Sequence, residues 1–386
     1  MTFYDDDEEE SSYFLNEQIE IAVQRGVKVL KLDLYNQGYI VPDTIFEAKS
    51  LTDLYVKGCK FVNNGRLFLL CDHIRYLCLM NIDIDDDILG RFIKGCPLIY
   101  DLVIDNCKGL IIIYVVNHNS LKKLHIRGID CISIEVDAPF LESVHFEVEE
   151  GPHFLELHAS EYLKILLLIR TYISDTFFNN FSKKFPKLEI LNITHCYYSS
   201  ESINCTSHSL KHISLSSSGE KKVEINAPNA IKFKYGVHKV HQIFRGVFPS
   251  QCESDVYVHC FWNSRNHLSW FLNLNQLVSN LSPSNVTLSL TCDFKTESYK
   301  YMGNISNFAT YLIEVGKVRL VVQGESSTRA KSYFLDGLFW ACRPKTIVLP
   351  CMYSDSRQLM ELSYKKLVKD RRNQRFFSGL SFGSMI

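Results

Sequence analysis

The chain has 386 residues, 46% of them apolar, with 42 lysines and arginines against 43 aspartates and glutamates. That is enough apolar material for a long core, and the near-neutral balance gives no global case for nucleic acid or an anionic membrane surface as partner. Thirteen cysteines sit behind an acidic opening, MTFYDDDEEE, unlike a secretion signal, which points to free thiols in a reducing compartment, cytoplasmic or nuclear.

Residues 1–18 carry six consecutive acids, Asp5 to Glu10. Such a run cannot bury apolar surface, so the segment is expected to be a disordered, solubilising tail. From Val27 the pattern apolar–x–x–apolar–x–apolar recurs, starting at Val27, Leu51, Ile74, Ile99, Leu121, Leu141, Leu163, Leu188, Leu210 and Ala230. The intervals are 24, 23, 25, 22, 20, 22, 25, 22 and 20 residues. The alternation supplies the inward side chains of a strand, and the period is that of a leucine-rich repeat. The clearest copy runs from Asp85 to Cys107, DDDILGRFIKGCPLIYDLVIDNC: an amphipathic helix, a turn at Gly95–Pro97, a strand and a terminal cysteine. Intervals of 23–25 leave room for a short outer helix (PDTIFEAK, DDILGRFIKG, SDTFFNNFSKK), whereas intervals of 20 leave room only for a turn, often on Ala-Pro, as in VDAPFLESV. The expected fold is an α/β leucine-rich-repeat solenoid, with a curved parallel sheet on the concave face and short helices, turns and loops on the convex face.

After Tyr235 the pattern weakens. A strand is expected over Asp255–Phe261, a helix over HLSWFLNLNQLVSNLSP, strands starting at Val286, Lys317 and Lys345, a helix over SYFLDGLFWAC, and a last helix from Ser356 to about Arg372 that caps the open core. The domain reading is a solenoid over 19–350, with regular repeats at 27–237 and longer ones at 250–350, then a capping helix and tail over 351–386. A boundary near 240–250 is the alternative. The longest apolar runs, such as Leu110 to Val116, are far too short to span a bilayer, so no membrane partner is expected.

Cys59, Cys107 and Cys196 each fall eight residues after the first apolar position of their repeat, the inward slot that serves backbone groups at the turn. No cysteines have C-x-x-C spacing, and the close sets Cys71/His73 and His195/Cys196 lack partners at metal-ligand spacing. The sequence contains no G-x-S-x-G, H-E-x-x-H, P-loop or G-x-G-x-x-G. The expectation is therefore structural cysteines, no metal, no cofactor and no enzyme; a hydrolase with an unrecognised Cys or Ser and a distant His is the alternative from another class. The basic run Lys365–Arg375 reads as the solvated face of the capping helix.

A protein-binding surface is expected where alternate strand residues face out along the concave sheet. Candidates are Tyr55, Tyr76, Met80, Asp101, Asp105, Lys123, His125, Arg127, His145, Ile165, Leu167 and Ile169. The Ile165/Leu167/Ile169 triplet puts apolar side chains on a face that should be wet, which marks either a binding site or a strand buried on both sides.

The stretches VKVLKLDLYN, VPDTIFEAKSLTDLYVKGCKF, IRYLCLMNIDIDDDILGRFIKGCPLIYDLVIDNCKGL, SLKKLHI, APFLESVHFEV and FWACRPKTIVL together resemble the repeat region of plant F-box/LRR proteins, a group often carrying a C-terminal FBD-type region. The likeness covers about residues 20–235 and, more loosely, the C-terminal third. In that family an F-box docks on the Skp-type adaptor of a cullin ubiquitin ligase and the repeats choose the protein to be ubiquitylated. The 26 residues before the first repeat contain neither the leucine-proline opening nor the tryptophan-arginine close of an F-box. The resemblance thus implies a non-catalytic recognition half, with a protein ligand and no direct contact to a Skp-type adaptor. A decoy that binds the same target without recruiting a ligase is the alternative.

Overall fold

A computed structural model of the chain describes residues 8–34, 38–62, 71–148, 154–217, 222–237, 240, 244–262, 267–281, 285–294, 313–323, 327–349 and 356–371. These fall into two compact units, Met1–Ser199 and Ser200–Ile386.

The first unit opens with helix α1 (Glu8–Gln24). This departs from the disordered tail expected over 1–18. Leu15 and Ile19, four residues apart and so on one helix face, are buried, and the Tyr39 hydroxyl donates to Asn16 Oδ1 at 2.6 Å. Residues 1–7, with the first acids of the run, lie outside the described residues. Then follow β1 (Val29–Asp33), a 3₁₀ turn at Asp43–Glu47 that α1 packs against, β2 (Asp53–Lys57), β3 (Tyr76–Met80), α2 (Asp86–Gly95), β4 (Asp101–Asp105), β5 (Ile112–Val116), β6 (Lys123–Ile129), β7 (Ser133–Asp137), β8 (Ser143–Val148), β9 (Phe154–Leu157), β10 (Ile165–Ile169), β11 (Tyr172–Ile173), a single helical turn α3 (Phe181–Lys184) and β12 (Ile190–Tyr198).

Each repeat motif becomes a strand beginning two residues after its first apolar position, and these strands pair in parallel as β1–β2–β3–β4–β6–β8–β10–β12. Their inward residues, such as Leu54, Val56, Leu124, Ile126, Leu166 and Leu168, are fully buried. Four of the strands end on a left-handed residue, Gly58, Asn81, Asn106 or Arg170, that turns the chain out of the sheet; asparagine and glycine adopt this region most readily.

The outer layer carries more strand than the spacing suggested. Strands β5, β7, β9, β11 and the end of β12 form a second parallel ladder, with β7 in an interval of 20 that left room only for a turn and β11 in the interval of 25 that left room for a short helix. Its inward residues Ile113, Val115, Ile134, Val136, Leu155 and Ile173 are buried. Helices survive where expected only in part. Helix α2 buries Ile88, Leu89, Phe92 and Ile93. SDTFFNNFSKK keeps one helical turn, because Asn180 is left-handed (φ 53°) and breaks the run, while Phe177, Phe181 and Phe185 still cluster with centroids 5.3–6.3 Å apart.

The second unit holds β13 (Ser202–Thr206), β14 (His212–Ser217), β15 (Lys222–Asn226), β16 (Lys232–Val237), β17 (Phe244–Val247), β18 (Glu253–Trp262), α4 (His267–Ser279), β19 (Val286–Phe294), β20 (Glu314–Gln323), α5 (Thr328–Ala341), β21 (Arg343–Val348) and α6 (Ser356–Arg371). Strands β14–β16–β18–β19–β20–β21 pair in parallel, and β13–β15–β17 form a separate parallel sheet. Helices α4 and α5 meet through Trp270, Phe271 and Phe334, and Asn275 Nδ2 donates to the Ala341 carbonyl at 2.7 Å. Helix α6 joins α5 through Lys331 Nζ, which donates to Gln358 Oε1 at 2.9 Å.

Candidate protein-binding face of the repeat sheet

In a parallel sheet without a register slip, outward residues of successive strands line up in rows across the strands. The twelve candidates all lie on one face of β2, β3, β4, β6, β8 and β10 in the first unit. The middle row runs Tyr55, Cys78, Val103, His125, His145, Leu167 and Asn192; its flanks run Tyr76, Asp101, Lys123, Ser143, Ile165 and Met80, Asp105, Arg127, Glu147, Ile169.

The rows divide into three zones. At β2–β3 the Tyr55 hydroxyl donates to Met80 Sδ at 3.1 Å, and Cys78 is buried beneath the neighbouring side chains. At β4–β8 lies a charged strip. Arg127 Nη2 donates to Asp105 Oδ2, Lys123 stands 4.0 Å from Asp101, and the His125 and His145 rings meet edge to face at 5.9 Å. Asp105 is buried whereas the Arg127 side chain is half exposed, so the pair offers its cation to solvent. The Oδ1 atoms of Asp101 and Asp105 have no hydrogen-bond donor among the described residues. Burial pushes the Asp101 carboxyl up, against the pull of His125 and Lys123, and it pushes the His145 imidazole down, helped by its neighbour His125. At β10–β12, Ile165, Leu167 and Ile169 are half-buried and their registered neighbour Ile190 extends the apolar surface.

A sequence model described as the At1g61320/AtMIF1 LRR domain matches residues 1–220, more than half of the chain. The chain belongs to this LRR-domain family. A curated relative, the F-box/LRR-repeat protein At3g03360 of Arabidopsis thaliana, is 30% identical over 96 residues, which is 24% of this chain and 20% of that protein. The chain therefore matches about a fifth of that relative's length. No solved structure matches.

Repeat domains of this family are plant LRR solenoids, and LRR solenoids are typically non-catalytic protein-binding scaffolds; this one is a protein-interaction module. Its cysteines fit that role. The thiols of Cys107 and Cys196 donate to Leu79 and Leu168 carbonyls at 3.4 and 3.3 Å, the Cys59 thiol donates to the Lys57 carbonyl at 3.4 Å, and burial pushes all three up to about 12. They point inward, as their spacing predicts, but the groups they serve are strand carbonyls rather than turn groups. No helix among the described residues is long and apolar enough to cross a membrane.

Two groups of residues on this LRR domain escape the repeat pattern. Asp86, which reads as ordinary helix-start acid, reaches from α2 to accept from the backbone amides of Ile111 and Ile112 at 2.8 and 3.1 Å, closing the free side of edge strand β5. The outward residues of the second ladder, Tyr114, Glu135, Phe154, Tyr172 and Tyr197, belong to segments with no expected strand; the alternations SIEV and FLEL are the sequence signal for them.

Proposed function

We propose that the repeat-sheet face of the first unit selects a protein target in the manner of the substrate-recognition part of an SCF-type ubiquitin-ligase receptor. The observation that carries this reading is the half-exposed apolar triplet Ile165/Leu167/Ile169 beside the strip formed by Asp101, Asp105, Lys123, His125 and Arg127. An apolar centre anchors a partner by desolvation, and a charged margin whose half-exposed cations are Lys123 and Arg127 sets its register and rejects wrong partners. The relative's name, an F-box/LRR-repeat protein, supports the ligase context. Direct contact with a Skp-type adaptor is not part of the proposal; the chain acts as the recognising element.

The test is capture by the full chain, wild type against Leu167→Asp and Arg127→Glu, with circular dichroism and melting curves as folding controls and Leu167→Ser as the milder substitution. One protein whose recovery falls about tenfold or more in both folded variants supports the reading. Recovery unchanged in both contradicts it. Ubiquitylation of the target in a plant-cell extract supplied with ubiquitin and ATP, with and without the chain, separates the ligase role from a decoy role: ubiquitylation that rises with the chain marks a receptor, and protection of the target marks a decoy.

A further inference from the structure

The second ladder of the first unit presents an outer face quite unlike a solvated one. By register Phe154, Tyr172 and Tyr197 stand side by side across β9, β11 and β12. The Phe154 and Tyr172 rings lie 5.1 Å apart, and Phe154 and Tyr197 are 58% and 52% exposed. At the other end of the same ladder Tyr114 on β5 is 54% exposed. Sheets normally turn such rings inward, and an exposed contiguous aromatic surface marks a contact site.

The charge at the outward strand positions is one-sided, whereas Arg91 and Lys94 of α2 line the groove beside Tyr114. Tyr114 is in register with Glu135, and Glu135 with Glu156, so the row across the middle of the face is aromatic, acid, acid. Asp137 follows one row on, beside Val116. Among the described residues, the group placed against Glu135 and Glu156 is the imidazole of His158, at 3.6 and 4.0 Å. On the repeat-sheet face, by contrast, Asp101 and Asp105 meet Lys123 and Arg127. The outward strand positions of the ladder carry rings and carboxylates beside Ile112, Val116 and Ser133, and among the described residues they hold no lysine or arginine.

We propose that this outer face is a second docking surface, separate from the repeat-sheet face, whose occupant is an extended basic segment of a partner protein. Lysine or arginine side chains of that segment pair with Glu135, Asp137 and Glu156, while their stems and the intervening apolar residues lie over Phe154, Tyr172 and Tyr197. Guanidinium and ammonium groups are the ligands for which an aromatic face and a carboxylate act together, the ring attracting the cation through its quadrupole and the carboxylate through its charge. The spacing suits an extended chain, because alternate residues of a strand step by about 6.5–7 Å along one side.

The experiment pans a random decapeptide display library on the full chain and on Glu135→Lys/Glu156→Lys, then measures selected peptides by fluorescence anisotropy at low and high salt. Phe154→Ser tests the rings, and Glu156→Gln is the milder charge change should the double reversal fail to fold; both positions are exposed enough to spare the core. The expected result is enrichment of peptides combining lysine or arginine with apolar residues, salt-sensitive binding, and weakening by about fivefold or more in each charge or ring variant that folds. Enrichment of peptides without basic residues, binding indifferent to these variants, or no enrichment overturns the proposal. So does concentration-dependent self-association that Phe154→Ser abolishes, which would make the occupant a second copy of this chain. The repeat-sheet reading is unaffected by any of these outcomes, since Leu167 and Arg127 lie on the other sheet.

Discussion

Three adjacent aspartates, alike in sequence, hold three different positions at the start of α2, and removing them singly should give three different costs. Asp85 is the N-cap: its Oδ1 accepts from the Ile88 amide at 2.8 Å, and such caps contribute about 1 kcal/mol. Asp86 accepts two amides at the start of the edge strand, from Ile111 just before it and Ile112 at its first position. A bond from a backbone amide to a charged acceptor contributes about 1.5–3 kcal/mol, but Ile111 is 54% exposed and its freed amide can turn to water, so the pair is expected to contribute about 2 kcal/mol in all. Asp87 makes an exposed i, i+4 ion pair with Arg91 at 2.7 Å, worth about 0.4 kcal/mol. Alanine substitution should therefore destabilise in the order Asp86, Asp85, Asp87 in urea unfolding. Amide hydrogen exchange localises the effect: Asp86→Ala should speed exchange at Ile111 and Ile112, and Asp87→Ala should leave both unchanged. If Asp87→Ala costs as much as Asp86→Ala, or if protection at Ile111 and Ile112 survives the loss of Asp86, the clamp on β5 is wrong.

Gly128 (φ +61°) has no room for a side chain, since a Cβ would stand 1.8 Å from Asn106 Oδ1; Gly128→Ala should cost about 1–3 kcal/mol in the same unfolding assay, whereas Gly90→Ala in α2, where a Cβ meets nothing within 4 Å, should stabilise by about 0.5–1 kcal/mol. His118 is buried with its Nε2–H donating to the Cys96 carbonyl at 3.2 Å, and burial lowers its affinity for a proton below the ordinary 6.5. The unfolded chain then binds the proton first, so stability should fall as pH drops below about 6.5 toward the lowered native value, and His118→Asn should flatten that fall in melting curves taken across the window. The thiols of Cys59, Cys107, Cys131 and Cys196, pushed up to about 12 by burial, should stay unmodified by an aromatic disulfide reagent at about pH 8 in the native chain and react in denaturant; rapid native labelling would contradict their place in the core.

The repeat sheet was legible because its signal is strong and repeated: every strand needs two alternating apolar residues after an apolar lead, and parallel neighbours need the same phase. Helices α4, α5 and α6 were legible for the related reason that long apolar periods survive local irregularity. The second ladder was not. Its strands are four or five residues or shorter, and in IIIYVV the outward Ile112, Tyr114 and Val116 are as apolar as the inward Ile113 and Val115, which erases the alternation. Helix α1 was hidden by acids that precede its buried Leu15 and Ile19. The twelve candidate residues follow from strand phase alone, so the sequence places them on one face. It does not reveal which neighbours pair: the Asp105–Arg127 contact and the meeting of His125 with His145 join residues 20 or more apart, and they depend on register. Asp86 shows the same limit, since its strand partners lie 25 and 26 residues away.

The most direct test of protein recognition by the repeat sheet places a photo-crosslinking amino acid at Leu167 in the full chain, with Glu161, an exposed residue in the turn before β10, as the control position. One discrete protein should be captured at Leu167, absent at Glu161, and lost when Arg127→Glu is added. Equal capture at both positions, or capture at Leu167 that Arg127→Glu leaves intact, would contradict a partner seated across the charged strip and the apolar triplet.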